Sequence, residues 1–168
     1  MTISMYQSSV PVFIRELEIL SNILAKAAAH ATEKKIEETV LLNSRLFPDM
    51  LPLVRQVQIA CDAAKTGAAR LAEVELPSFP DVEVTFAELQ ERIVKTVKFL
   101  ESLKAEQIDG KEDLKISYTQ RNKESNFIGQ PYLLNYVLPN LYFHITTTYG
   151  ILRHNGVDLG KKDYLGSY

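Results

Sequence analysis

Asn140 and His144 stand one helical turn apart in a stretch, between Glu124 and Arg153, that holds no Lys, Arg, Asp or Glu. In a chain that is 24% charged, such a stretch belongs inside the molecule. A buried polar group costs about 1–3 kcal/mol when it is left unpaired, so each needs a partner or a function. Residues i and i+4 stack on one side of a helix, and Asn140 and His144 therefore point together. A third polar side chain, Gln56, reaches the same level if its helix runs antiparallel to theirs.

Two readings of this trio follow. A histidine with two amide oxygens, completed by water, is a candidate divalent-metal site. Amide oxygens carry no charge, however, and zinc is normally held by His, Cys or carboxylates. The other reading is a buried hydrogen-bond network that satisfies His144 with neighbouring amides or threonines, and the residues by themselves favour it. Cys61 falls on an apolar stripe and reads as a core residue, since a nucleophilic cysteine needs an accessible, activated thiolate. His30 and His154 lie near helix ends, where surface or capping roles are the rule. Tyr136, Tyr142 and Tyr149 read as packing residues with hydrogen-bonded hydroxyls. The carboxylates fall mostly on solvated faces with no close pair for acid–base work. The chain has neither a glycine-rich phosphate loop nor a Ser-His-Asp order.

Four segments with helical periodicity must position these residues. The first carries Val10, Phe13, Ile14, Leu17, Leu20, Leu24, Ala27 and Ala28 on one stripe, and a short amphipathic piece, Ile36 to Leu42, follows. The second is expected to start near Asp49 as N-cap, with Pro52 in its first turn, and to bury Leu53, Val57, Ala60, Cys61, Ala64, Ala68 and Leu71. The third opens on a capping box, Thr85 to Glu88. The fourth runs from about Pro131 to Asn155 and stops at Gly156. Pro139 lacks the N–H that would bond the carbonyl of Asn135, so a kink is expected there, the alternative being two helices broken at Pro139. Before the fourth helix, Leu114–Tyr118 and Asn126–Gly129 read as a small hairpin turning over Arg121–Ser125.

Between the second and third helices lie about a dozen residues, Glu73 to Glu83. Extended at about 3.3 Å per residue they span on the order of 35–40 Å, and a helix of about 22 residues is only about 33 Å long. The linker can run the whole length of a bundle and leave its flanking helices parallel. The expectation is a single all-α domain, residues 1–168, a four-helix bundle in up-down-down-up order with a small hairpin before the last helix. In that order Gln56 and His144 meet near one level.

Composition narrows the function classes. A net charge of −2 gives none of the basic surplus of nucleic-acid binders. The uncharged stretch holds too many amides for a spanning helix, so no membrane association is expected. One cysteine and a start without a basic, apolar leader point to the cytoplasm.

The segment from His144 to Val157, with Arg153 nine residues after His144 in a Leu-Arg-x-x-Gly-Val ending, resembles the last helix of the DinB/YfiT-like superfamily. The chain as a whole looks closest to a subfamily of uncharacterised bacterial proteins in it. The resemblance rests on Ser4–Phe13, on Pro48-Asp49-Met50 leading to Arg55-Gln56-Val57, on Arg153–Val157 and on Lys161–Gly166, and so covers essentially the full length. It implies a bundle in up-down-down-up order, and a metal site, usually Zn or Ni, built from a His on the second helix and a His-x-x-x-His pair on the fourth. His144 matches the second His of that pair, Asn140 stands where the first would be, and Gln56 matches the helix-two His to within one or two residues. Two of the three ligands are thus amides, and any cofactor metal would be held weakly. Three functions follow as expectations: a small-molecule-binding or stress-linked protein with a degenerate metal site; a metal-dependent transferase that uses a low-molecular-weight thiol; or a non-catalytic homodimeric interaction module.

Overall fold

The computed structural model describes residues 3–120 and 123–166. It is mostly helical, with one two-stranded sheet. Four long helices, α1 (Val10–Lys34), α3 (Leu53–Leu71), α4 (Phe86–Glu101) and α7 (Leu138–His154), enclose one hydrophobic core. Short helices sit at their ends: α2 (Glu38–Leu42), α5 (Ala105–Ile108), α6 (Gly129–Tyr132) and α8 (Lys161–Leu165). No helix among the described residues is long and apolar enough to cross a membrane.

The apolar stripes read from the sequence are the buried faces. Phe13, Leu17, Leu20 and Leu24 of α1 and Leu53, Val57, Ala60, Cys61, Ala64, Ala68 and Leu71 of α3 are fully buried. The capping box of α4 is present in full, Thr85 Oγ1 accepting from the Glu88 N–H and Glu88 accepting from the Thr85 N–H. A second carboxylate, Glu38 on α2, accepts from the N–H of Phe86 at 2.8 Å, where the positive end of the helix dipole favours an anion.

Two expected boundaries move. Helix α3 begins at Leu53 with Pro52 as its N-cap, not near Asp49. Proline fixes φ and offers no N–H, so Pro52 sets the start of the helix. The hairpin strands, β1 (Lys115–Gln120) and β2 (Lys123–Ile128), pair antiparallel with Lys115 opposite Ile128. Lys123, Glu124 and Ser125 are therefore strand rather than turn, and Arg121 and Asn122 lie outside the described residues.

The expected kink at Pro139 is resolved differently. A π-helical turn, Leu133–Val137, joins α6 to α7 and ends just before the proline, which then occupies the first turn of α7. Widening the turn upstream accommodates the bond that Pro139 cannot donate. Val137, at the end of this π turn, packs on Gly67 of α3, where a Cβ would fall 2.4 Å from Val137 Cγ1. Only glycine allows the two helices this approach.

The surface expectation for carboxylates also needs correction. Arg92 of α4 is 2% exposed, among the largest fully buried side chains. Its guanidinium meets Asp62 of α3 at 3.0 Å, Asp81 at 2.9 Å and Glu83 at 2.9 Å, and donates to the Pro80 carbonyl at 3.1 Å. Gln58 donates to the other Glu83 oxygen at 2.7 Å, and Arg55 pairs with Asp81. The linker between α3 and α4 is thus bound to both helices through one buried cation. Removing one partner of such a set strands the others, at a cost of about 3–5 kcal/mol, nearer the low end here because Asp62 and Asp81 keep some solvent. Arg92→Leu should lower stability in urea unfolding by about 3 kcal/mol and open the linker to proteolysis. A loss within about 0.5 kcal/mol, as at an ordinary surface site, would contradict this assignment.

Candidate functional site

His144 projects from α7 toward α3, where its Nδ1 lies 2.7 Å from Gln56 Oε1. The Gln56 amide is oriented independently, because its Nε2 donates to the Leu51 carbonyl at 2.9 Å. A carbonyl only accepts, so Oε1 must be the atom that faces the ring. That oxygen also only accepts, so Nδ1 carries the proton and Nε2 holds the lone pair. Both residues are buried, at 8% and 2% exposure. Burial holds His144 below the ordinary histidine pKa, in its neutral form. The Phe143 ring meets the imidazole edge-on at 5.2 Å between centroids.

Asn140 does not join them. Gln56 faces His144, Gly67 faces Val137, and Arg70 faces Tyr132, so position rises on α3 as it falls on α7 and the two helices are antiparallel. One turn back from His144 therefore meets α3 about one turn, 5.4 Å, beyond Gln56. There Asn140 is half-buried and lines a cleft together with Ala63, Thr66 and Arg70. Among the described residues its side chain makes no hydrogen bond.

The donors of the three residues decide whether a metal fits here. Gln56 Oε1 is occupied by the imidazole N–H, and Asn140 faces elsewhere, which leaves one neutral nitrogen, His144 Nε2. Among the described residues no group of three His, Cys, Asp or Glu is placed to hold a metal ion. A single imidazole does not make a zinc or nickel site, so the residues present do not fit the metal.

The cleft is the other feature of this face. About 700 Å³ in volume, it lies between α3, linker residues 76–81, β1 and the α6–α7 segment. Phe79, Tyr118, Tyr132 and Tyr136 supply ring surface, and Phe127 packs behind, 5.2 Å from Tyr132 and 5.1 Å from Tyr136. Two cations border it. Lys65, 4% exposed, pairs with Asp62 at 3.0 Å and lies 4.3 Å over the Phe79 ring. Arg70 donates to the Tyr132 hydroxyl at 3.0 Å and stacks 3.4 Å from the Tyr118 ring centroid. Tyr136, expected as a packing residue, lines this cleft, and Lys65, Arg70 and Phe79 are not among the residues expected at a site. Lys65 and Arg70 lie beside the apolar stripe of α3 without breaking it, so nothing local in the sequence marks them.

The remaining candidates fall into structural roles. Cys61 is fully buried and burial pushes its thiol up to about 12, which removes it as a nucleophile. His30 packs near Gly156, and Tyr149 meets Tyr164 edge-on at 6.1 Å. Glu16 is buried beside Arg15, with burial raising its pKa and one oxygen left without a partner.

His144→Ala strips Gln56 Oε1 of its donor and should cost about 1–3 kcal/mol near neutral pH. Because the folded-state pKa of His144 is depressed, its contribution is full above the unfolded value of 6.5 and is lost as pH falls through the folded one. The stability gap between wild type and His144→Ala should therefore narrow from about pH 7.5 to about pH 5.5. A gap that widens on acidification would mean that the imidazole is charged in the folded protein.

The family described as "Domain of unknown function (DUF1993)" matches residues 5–165. A solved structure, the crystal structure of a DinB family member protein from Shewanella denitrificans, is similar to the chain at 45% identity and a TM-score of 0.89, covering 97% of this chain and 92% of that one. No curated protein matches the chain. With the fold and nearly the whole sequence in agreement, the chain belongs to the DUF1993 family, an uncharacterised group with a DinB family member as its structural neighbour.

Proposed function

We propose that this protein is a non-catalytic, small-molecule-binding member of the DinB-like fold, a single-domain cytoplasmic bundle in up-down-down-up order. Several pairings support that order. Tyr6, just before α1, donates its N–H to Asp109 beyond the end of α4, and Glu38 beyond the end of α1 accepts from Phe86 at the start of α4, so α1 and α4 are antiparallel. His30 near the end of α1 lies by Gly156 at the end of α7, which makes those two parallel. Together with the antiparallel pairing of α3 and α7, these contacts support the up-down-down-up reading.

The observation that carries the functional reading is the 2.7 Å bond between His144 Nδ1 and Gln56 Oε1. It spends the glutamine oxygen on orienting the imidazole, so the position matching the family's metal site works as a neutral hydrogen-bonded pair. Catalysis by a metal-activated thiol needs a cation to stabilise the thiolate, and this donor set gives that cation little hold. What remains on the same face is a cleft of about 700 Å³ with aromatic walls and a few convergent polar groups, the usual make-up of a small-molecule site.

Metal analysis of protein purified without a histidine tag tests the reading. The expected result is substoichiometric zinc and nickel, with no difference between wild type and His144→Ala. One bound metal per chain that disappears in His144→Ala would overturn it in favour of the metal-dependent transferase.

A further inference from the structure

Four charged residues line the cleft, Asp62, Lys65, Arg70 and Asp81, and Arg70 is the one without an ion-pair partner among the described residues. Asp62 is shared between Lys65 and Arg92, Asp81 between Arg55 and Arg92, and Glu83 is held by Arg92. Three carboxylates thus face three cations. Arg70 stands outside this set. It lies on the cleft wall, half-buried, and its recorded polar partner is the neutral hydroxyl of Tyr132. No carboxylate among the described residues pairs with it. Stacking on Tyr118 at 3.4 Å holds the guanidinium plane in place, and a planar guanidinium fixed in this way is arranged for two parallel bonds to a carboxylate.

We propose that the cleft binds a small monoanion, a carboxylate carried on a flat aromatic or conjugated body, with Arg70 receiving the carboxylate. This assignment rests on the small-molecule reading above and adds the ligand's charge and shape. One cation without an ion-pair partner among the described residues matches one negative charge. Phe79, Tyr118 and Tyr136 line the cleft with ring surface, and because Arg70 and Phe127 stack on Tyr118 and Lys65 lies over Phe79, those two rings meet a flat body mainly by their edges. Asn140, whose amide has no partner among the described residues, lies on the same wall and can bond a polar substituent on the ligand. The site is separate from the Gln56–His144 pair, from which the antiparallel packing displaces it along α3.

Benzoate is a suitable probe, with benzamide as its neutral counterpart of nearly the same shape. Titrations of the full chain are followed by backbone amide NMR, reading Thr66, Arg70, Tyr136 and Asn140. Benzoate should shift these amides saturably and bind about tenfold or more tightly than benzamide. Arg70→Gln should weaken benzoate by a similar factor and leave benzamide unchanged. Should Arg70→Gln fail to fold, Asn140→Asp serves instead: it places a carboxylate in the cleft at a half-exposed position without packing demands and should also weaken benzoate selectively. Equal binding of benzamide and benzoate in the cleft, or benzoate affinity indifferent to Arg70→Gln or, in its place, to Asn140→Asp, would overturn the anion assignment and leave the cavity reading standing. Absence of cleft shifts with either probe at millimolar concentration would overturn both.

Discussion

Arg92 is the point at which α3, α4 and the linker between them are tied together. A guanidinium placed in a hydrocarbon core would be expelled or would unfold its surroundings unless carboxylates came to meet it. Here one arrives from α3 and two from the linker, and the linker is therefore laid along the helices instead of looping free. That path carries Phe79 and Pro80 over the face of α3 and forms one wall of the cleft. The same connection supplies the ion network and the cleft wall, so these two features have one cause.

Antiparallel packing of α3 on α7 then decides what can meet what. Each turn gained on one helix is a turn lost on the other, so a single level can join only one residue from each. Gln56 takes His144. Asn140, a turn away, is left facing the cleft with Arg70. A site that needs two residues of α7 spaced by one turn, plus one from α3, requires side chains long enough or a metal ion central enough to reach across those levels. Glutamine bonded directly to the imidazole closes the shorter path instead. The bare backbone of Gly67 lets Val137 at the end of the π turn approach α3 about three turns further along.

The parts legible in the sequence were those set by local chemistry. Thr85 and Glu88 announced the start of α4 because a capping box is complete within four residues. The apolar stripes of α1 and α3 marked their buried faces because period alone decides them. Pairing across the chain was hidden. Nothing local distinguishes Asp81, Glu83 and Arg92 from solvated charges, since their association joins residues 26 apart, Arg55 and Asp81, and 30 apart, Asp62 and Arg92. Pro139 was visible as a break, yet whether a helix kinks or widens there depends on how closely α3 approaches. Asn140 and His144 stand one turn apart on one helix, yet they meet different surroundings. Their separation into two environments followed from the direction of a neighbour.

The central claim is that the imidazole of His144 is a neutral hydrogen-bond donor through Nδ1, and long-range proton–nitrogen NMR correlation of its ring reads this directly. At neutral pH Nδ1 should be protonated and Nε2 unprotonated, with both signals unmoved by equimolar zinc. An unprotonated Nδ1, or ring nitrogens that shift on adding zinc, would contradict it.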